Sequence, residues 1–289
     1  MKSKVAIAHN ADIEKAIHDA LNLLDLSELF NGKHVAIKPN ETWASKNDLT
    51  ACTQADSVKA TIQYVKRYNT KKVTVTGGAG AAETDEVFKL LGIDKVIKEE
   101  DVEFFDHNRP PFKAVKLEYG PQDEVMVNPH IFEYDTLVSL AQHKVHGTAT
   151  VTLTMKNIAM SYSAADYYGH PRSRQVHAHK FFKDMHGLIF GMCQKFPIDL
   201  GIIVGHPAMI EKGPIGGKIF ESELAIASTD FVAADAVGAK LLGFDRVRHI
   251  VDAAEKFGLG TASLDDIEIV GIPLDEAIRI FNEKVKTAK

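Results

Sequence analysis

The sequence predicts an α/β fold: two α/β domains, residues 1–125 and 126–289, with a ligand cleft between them. Three observations predict it. Short runs rich in Val, Ile and Ala alternate with segments whose apolar residues recur at helical spacing, the pattern of strands and helices packed in layers. A chain of 289 residues with 45% hydrophobic content is long enough for two domains of ordinary size. Proline and glycine gather where the strand-like runs stop, and in open α/β sheets that edge binds ligands.

Residues 4–8 and 34–38 read as buried strands. Between them Ile13, Ala16, Ile17, Ala20, Leu21 and Leu24 form one helical stripe behind the capping residue Asp12. Pro39 stops the second strand and leaves Lys38 and Asn40 at its carboxyl end, as candidate ligand contacts. A helix over 54–68 leads to a third strand, 72–76, and then to the loop Gly77-Gly78-Ala79-Gly80 before a helix over 84–91. Glycines between strand and helix let amides approach an anion, so Gly77, Gly78 and Gly80 are candidate ligand-binding positions. The loop is not a dinucleotide fingerprint, because Glu83 stands where a third glycine belongs. Short strands follow near 102–106, 113–117 and 124–127, with the softest domain boundary over 118–130.

A core strand over 135–140 delivers the stretch Lys144 to Asn157, which concentrates the candidate chemistry. His146 can give and take a proton near neutrality, and Lys156 offers a fixed positive charge. Threonines at 148, 150, 152 and 154 have the period of a strand with one hydroxyl face. The alternative, expected here, is a loop at His146-Gly147-Thr148, a cap from Thr148 or Thr150, and a helix carrying Lys156 and Asn157. A helix over 176–194 has His177, His179 and His186 on or beside it. His179 and His186 stand two turns apart, roughly 10 Å, too far to share one metal. Loops could still assemble a divalent transition-metal site from His146, His170 and His179.

The strand over 199–204 precedes a glycine turn, with Glu211, Gly213 and Gly217 as candidate anion contacts. It misses the phosphate-loop pattern, because Lys212 takes the first glycine position and Ile219 replaces the magnesium-binding hydroxyl. A strand over 223–228, a helix capped by Asp230, a helix over 246–257, a strand over 267–271 and a helix over 273–287 complete the chain. Asp230 or Asp235 could orient a catalytic group.

A formal net charge of −5 argues against nucleic-acid binding by phosphate neutralisation. No apolar run approaches the roughly 20 residues needed to cross a membrane. The opening residues are too soon polar for a signal peptide, and Cys52 and Cys193 cannot make a disulfide framework. A cytoplasmic setting is the expectation.

Five motifs in order carry a resemblance: Ile37-Lys38-Pro39-Asn40, Lys144-x-His146, Thr152-x-x-x-Lys156-Asn157, Gly213-Pro214-x-x-Gly217 and Asp230-x-x-x-x-Asp235-Ala236. Together they resemble the domain-of-unknown-function family three-six-two over essentially the whole chain. Many of its members carry a ferredoxin module or its cysteine runs. Two cysteines cannot hold such a cluster, so no intrinsic iron–sulfur cluster is expected here, and the resemblance leaves a separate ferredoxin as a candidate partner. The chain also bears a distant resemblance to the nickel-pincer lactate racemases, in which a lysine ten residues after a histidine anchors the cofactor. His146 and Lys156 have that separation, whereas the glycine loop lacks the histidine of that family.

The expected function is that of an enzyme acting on a small anionic metabolite, a carboxylate or phosphate, by racemase- or isomerase-like or redox chemistry. His146 moves a proton and Lys156 stabilises negative charge or holds a cofactor. Lys38 and Asn40 position the substrate, and Thr148, Thr150 and Asn157 line the pocket. The alternative is a non-catalytic metal- or cofactor-binding accessory protein working with a separate ferredoxin.

Overall fold

The computed structural model describes residues 2–169 and 184–289. Its frame is one large sheet. In chain order the strands are β1 (Ser3–His9), β2 (His34–Pro39), β3 (Lys72–Gly77), β4 (Glu103–Asp106), β7 (Thr136–His146), β8 (Thr150–Thr152), β9 (Leu200–Ile210), β10 (Lys218–Phe220), β11 (Leu224–Ser228) and β12 (Ile267–Gly271). They lie in the order β12-β1-β11-β9-β7-β2-β3-β4, with β8 attached to β7 and β10 to β9. Along that path only β1–β11 and β11–β9 are antiparallel. A separate hairpin, β5 (Lys113–Lys116) and β6 (Glu124–Val127), falls where short strands are expected. Strands from 1–125 and from 126–289 share the large sheet: β1 lies between β11 and β12, and β2 lies beside β7.

Every residue of β2 is buried, as a parallel strand covered on both faces requires. One covering layer holds α1 (Ile13–Asn22), α3 (Ala55–Val65), α4 (Thr84–Leu91) and α5 (Ile93–Glu99), around Ile17, Val58, Ile62, Val87 and Ile93. The turn helix α2 (Ser27–Phe30) adds Phe30 to that core. The other layer holds α6 (Thr154–Tyr162), α8 (Met185–Lys195), α9 (Phe231–Leu241), α10 (Arg248–Phe257) and α11 (Leu274–Val285), around Ile158, Leu188, Phe190, Val232 and Phe281. A short helix, α7 (Ala165–Tyr168), follows α6. The stripe read from the sequence builds α1: Ile13, Ala16, Ile17, Ala20 and Leu21 are its buried residues, and the Asp12 carboxylate caps it.

The chain steps outward from β2 through β3 to β4, then returns to the opposite side of β2 as β7 and continues to β9. The carboxyl ends of β2 and β7 therefore flank the point where strand order reverses, the usual place for a ligand in an open α/β sheet.

One expectation is corrected. His146 is not in a loop, and neither Thr148 nor Thr150 caps a helix. Pairing with β9 extends β7 well past Leu140, and a tight hairpin sets Val145 opposite Val151 and His146 opposite Thr150. The helix carrying Lys156 and Asn157 does form, one turn later than those threonines, with Leu153 at its N-cap position. The helix expected over 176–194 is described from Met185 onward; its first residues, with His177, lie outside the described residues.

Candidate functional site

Proline cannot extend β2, so the chain turns at Pro39 and folds Asn40 and Glu41 back beneath α6. Lys38 Nζ donates to Pro39 O at 2.6 Å, Glu41 Oε2 at 2.6 Å and Asn157 Oδ1 at 2.9 Å. Those three acceptors match the three protons of an ammonium. Asn157 Nδ2 donates to Lys38 O at 3.0 Å and Ser139 Oγ at 3.1 Å, tying α6 to both β2 and β7. Asn40 N donates to Thr53 Oγ1 at 3.0 Å, and Asn40 Nδ2 reaches Asn157 Oδ1 at 3.4 Å. Lys38 and Asn40 thus share one buried network with Asn157, more than 100 residues away.

The network includes a residue that sequence reading passed over. Glu41 is 1% exposed, and its Oε1 accepts the Gly78 amide at 2.8 Å. Burial raises its pKa, while Lys38 and that amide oppose the shift. The signal was present as an acidic side chain three residues after a strand-end lysine, but Pro-Asn-Glu-Thr reads as a surface loop.

The glycine loop works differently from the expectation. The group at the Gly78 amide is the protein's own carboxylate. A Cβ at Gly78 would lie 2.3 Å from Ser161 Oγ, and one at Gly77 would lie 2.3 Å from Thr84 Cγ2. These two glycines let helices close on the end of β3, whereas a Cβ at Gly80 meets nothing within 4 Å.

Lys144, on β7, is fully buried and donates to Ala51 O at 2.6 Å. Burial pushes its pKa down to about 8, with the thiol of Cys52 and the carboxylate of Glu41 pulling the other way. His146 closes β7. Its Nδ1 accepts the Thr148 and Ala149 amides at 3.1 and 3.2 Å, which places the ring proton on Nε2. Thr148, exposed, thus contributes its amide, and Thr150 opens β8 with φ of 67°. The Gly213 turn packs on this hairpin: Gly147 N donates to Gly213 O at 3.1 Å, and a Cβ at Gly213 would lie 2.0 Å from Val145 O. Gly217 is needed within the turn itself, where a Cβ would lie 1.9 Å from Lys212 O. Glu211 pairs with Lys218 at 2.7 Å on the surface, apart from the buried network.

Lys156 is buried in the first turn of α6, one residue before Asn157, and neighbouring helical positions point about 100° apart. Asn157 faces β2, while Lys156 lies near enough to His249, on α10, to help burial hold that imidazole well below its ordinary pKa. His249 Nδ1 meets His186 Nδ1 at 2.9 Å. Asp235, on α9, anchors the start of α6. Its Oδ1 accepts Thr154 N at 2.8 Å and Thr154 Oγ1 at 2.6 Å, and its Oδ2 accepts Met155 N at 3.0 Å. Burial raises its pKa to about 7 against those donors. Asp230 caps its own helix through Ala233 N at 2.9 Å.

His170 and His179 lie outside the described residues. Among the described residues no group of three His, Cys, Asp or Glu side chains could hold a metal ion, so no step below is routed through one. No described helix is long and apolar enough to cross a membrane.

A family model described as a domain of unknown function (DUF362) matches residues 35–240. No curated protein matches the chain. Among solved structures, the chain is similar to that of the lactate racemase apoprotein from Thermoanaerobacterium thermosaccharolyticum, with a TM-score of 0.50 and 14% identity over 83% of this chain and 57% of that one. It is also similar to a crystal structure of a protein from Thermotoga maritima, with a TM-score of 0.46 and 14% identity over 80% of this chain and 58% of that one. The chain therefore spans less than two thirds of either. At this identity the first likeness concerns the fold alone.

Proposed function

The chain belongs to the family described as a domain of unknown function (DUF362), and on that premise we propose that it is an enzyme acting on a small anionic metabolite, a carboxylate or phosphate. The reading is supported by one observation above the others. Among the described residues, the buried ammonium and guanidinium groups are Lys38, Lys144 and Lys156, and the buried carboxylates are Glu41 and Asp235. Burying a cation is costly unless an anion or strong acceptors answer it. Lys38 and Lys144, within electrostatic reach of each other near the reversal point of the sheet, make surroundings that suit a ligand bringing negative charge.

The substrate sits at the carboxyl ends of β2 and β7, in the cleft proposed here between the two halves of the chain. Asn40, whose amide contacts are long at 3.4 and 3.5 Å, orients it, and Lys38 and Asn157, bonded to each other, hold Asn40 in place. The acceptor geometry narrows the role of His146. A proton on Nδ1 would displace two amide hydrogen bonds, so the ring works through Nε2–H, donating to an oxygen on which charge develops. Lys156, in the first turn of α6, adds positive charge for the same anion. Racemase- or isomerase-like chemistry uses such stabilisation of an enolate-like oxygen, and redox chemistry on the same anion would use the same cradle.

The test is a melting-temperature screen of the intact chain against 2-hydroxy and 2-keto carboxylates and phosphate monoesters. At least one is expected to raise the midpoint progressively with concentration, by about 5 °C at a hundredfold excess over Kd. Lys156→Met is expected to abolish turnover of that ligand and keep the fold. A wild-type chain that no small anion stabilises removes the proposal.

A further inference from the structure

Beneath α6, buried polar atoms gather around the carboxyl end of β3 with no hydrogen-bond partner among the described residues: Asn40 Oδ1, Thr76 Oγ1, His107 Nδ1 and Ser161 Oγ. They belong to one neighbourhood. His107 N donates to Gly77 O at 2.9 Å, and the His107 and Tyr162 rings are 5.0 Å apart. Ser161 Oγ lies where a Gly78 Cβ would point, and Asn40 joins through Asn157 and Lys38. Polar atoms of this kind in natural interiors are answered by ordered water or by a ligand. On its other side, His107 Nε2 lies 3.0 Å from the hydroxyl of Tyr134, a residue partly open to solvent.

We propose that these atoms hold a short chain of ordered water, and that His107 relays protons between the half-buried Tyr134 and the Lys38–Asn40 end of the site. In one passage the neutral ring gives its Nδ1 proton to the first water and takes the Tyr134 hydroxyl proton at Nε2. The tyrosine oxygen recovers a proton from solvent. Each group ends with the number of protons it began with, the imidazole in its other tautomer, and the reverse passage resets it.

A relay must not keep the proton it passes. His107 meets this condition: burial above all, then the neighbouring His130 and Lys38, hold its imidazolium well below the ordinary range. The other groups around it are the Tyr134 and Tyr162 hydroxyls and, next in sequence, Asp106. What the relay serves rests on the function proposed above. The relay itself is testable without substrate.

The experiment is nitrogen-15 NMR of the intact, histidine-labelled chain, measuring exchange of the His107 ring proton with water in the wild type and in Tyr134→Phe. We expect a neutral ring between about pH 5 and 8. We also expect exchange slowed about tenfold or more by the variant, at unchanged melting temperature. An imidazolium signal in that range, or unchanged exchange in a folded Tyr134→Phe chain, overturns the relay. Slowed exchange in a protein that binds no small anion would leave the relay standing and remove the enzymatic reading. Unchanged exchange in an active enzyme would do the opposite.

Discussion

Glu41 and Asp235 are the buried acids that hold the site together, and each makes a prediction at the scale of a single residue. Glu41→Gln removes the carboxylate facing the Lys38 ammonium and leaves that cation buried, a change expected to cost about 3–5 kcal/mol in denaturant unfolding. The double variant Lys38→Met with Glu41→Gln should recover a good part of that loss, because it removes both charges. A single variant as stable as the wild type would contradict the pairing. Asp235 predicts a pH dependence. Its folded pKa, about 7, lies above the ordinary carboxyl value of 3.8, so the folded chain binds the extra proton between the two. Its stabilising contribution is full below about pH 4 and is lost as pH rises toward 7, by up to about 4 kcal/mol. Asp235→Asn should remove that slope from unfolding curves measured across the window. It should also cost about 1–2 kcal/mol at low pH, where an amide NH2 would face the Met155 N–H. The sequence made Lys38, Asn40 and Asn157 legible because strand-end and motif positions marked them. It did not mark Glu41, whose role depends on an amide 37 residues away.

At the scale of the element, α6 is the organising piece. It joins β2 and β7 through Asn157, is held at its start by Asp235 from α9, and meets the glycine loop at Ser161. Gly78→Ala would put a methyl group 2.6 Å from the Ser161 carbonyl oxygen, a backbone atom that moves only with the helix. We expect a loss of about 2 kcal/mol or more and weakened anion binding, measured by unfolding and by titration. Gly80→Ala, with open space around it, should be close to neutral. Equal effects of the two substitutions would contradict this account of the loop. Sequence periodicity gave α1 almost residue by residue, because it buries one stripe. The period-two strand of the threonine stretch is present as β8, and the favoured loop with a threonine cap failed because the residue that holds the start of α6 comes from another helix, 81 positions along the chain from Thr154. Local sequence carries no trace of such a partner.

At the scale of the whole molecule, alternating strands and helices were enough to predict an α/β protein, and the mostly parallel sheet agrees. Strand order was not legible. β1 pairs with β11 and β12, more than 200 residues away, and such pairings are set by the packing of both faces. That order brings the ends of β2 and β7 together and encloses Lys38 and Lys144 near them. The most direct measurement is a crystal structure of the intact chain grown with the small anion that stabilises it most. The account predicts ligand density within hydrogen-bonding reach of Lys38, Asn40 or Lys156. Density confined to the surface cavity lined by Asp245, Arg246, Glu255 and Asp265, with the lysine site unchanged, would contradict it.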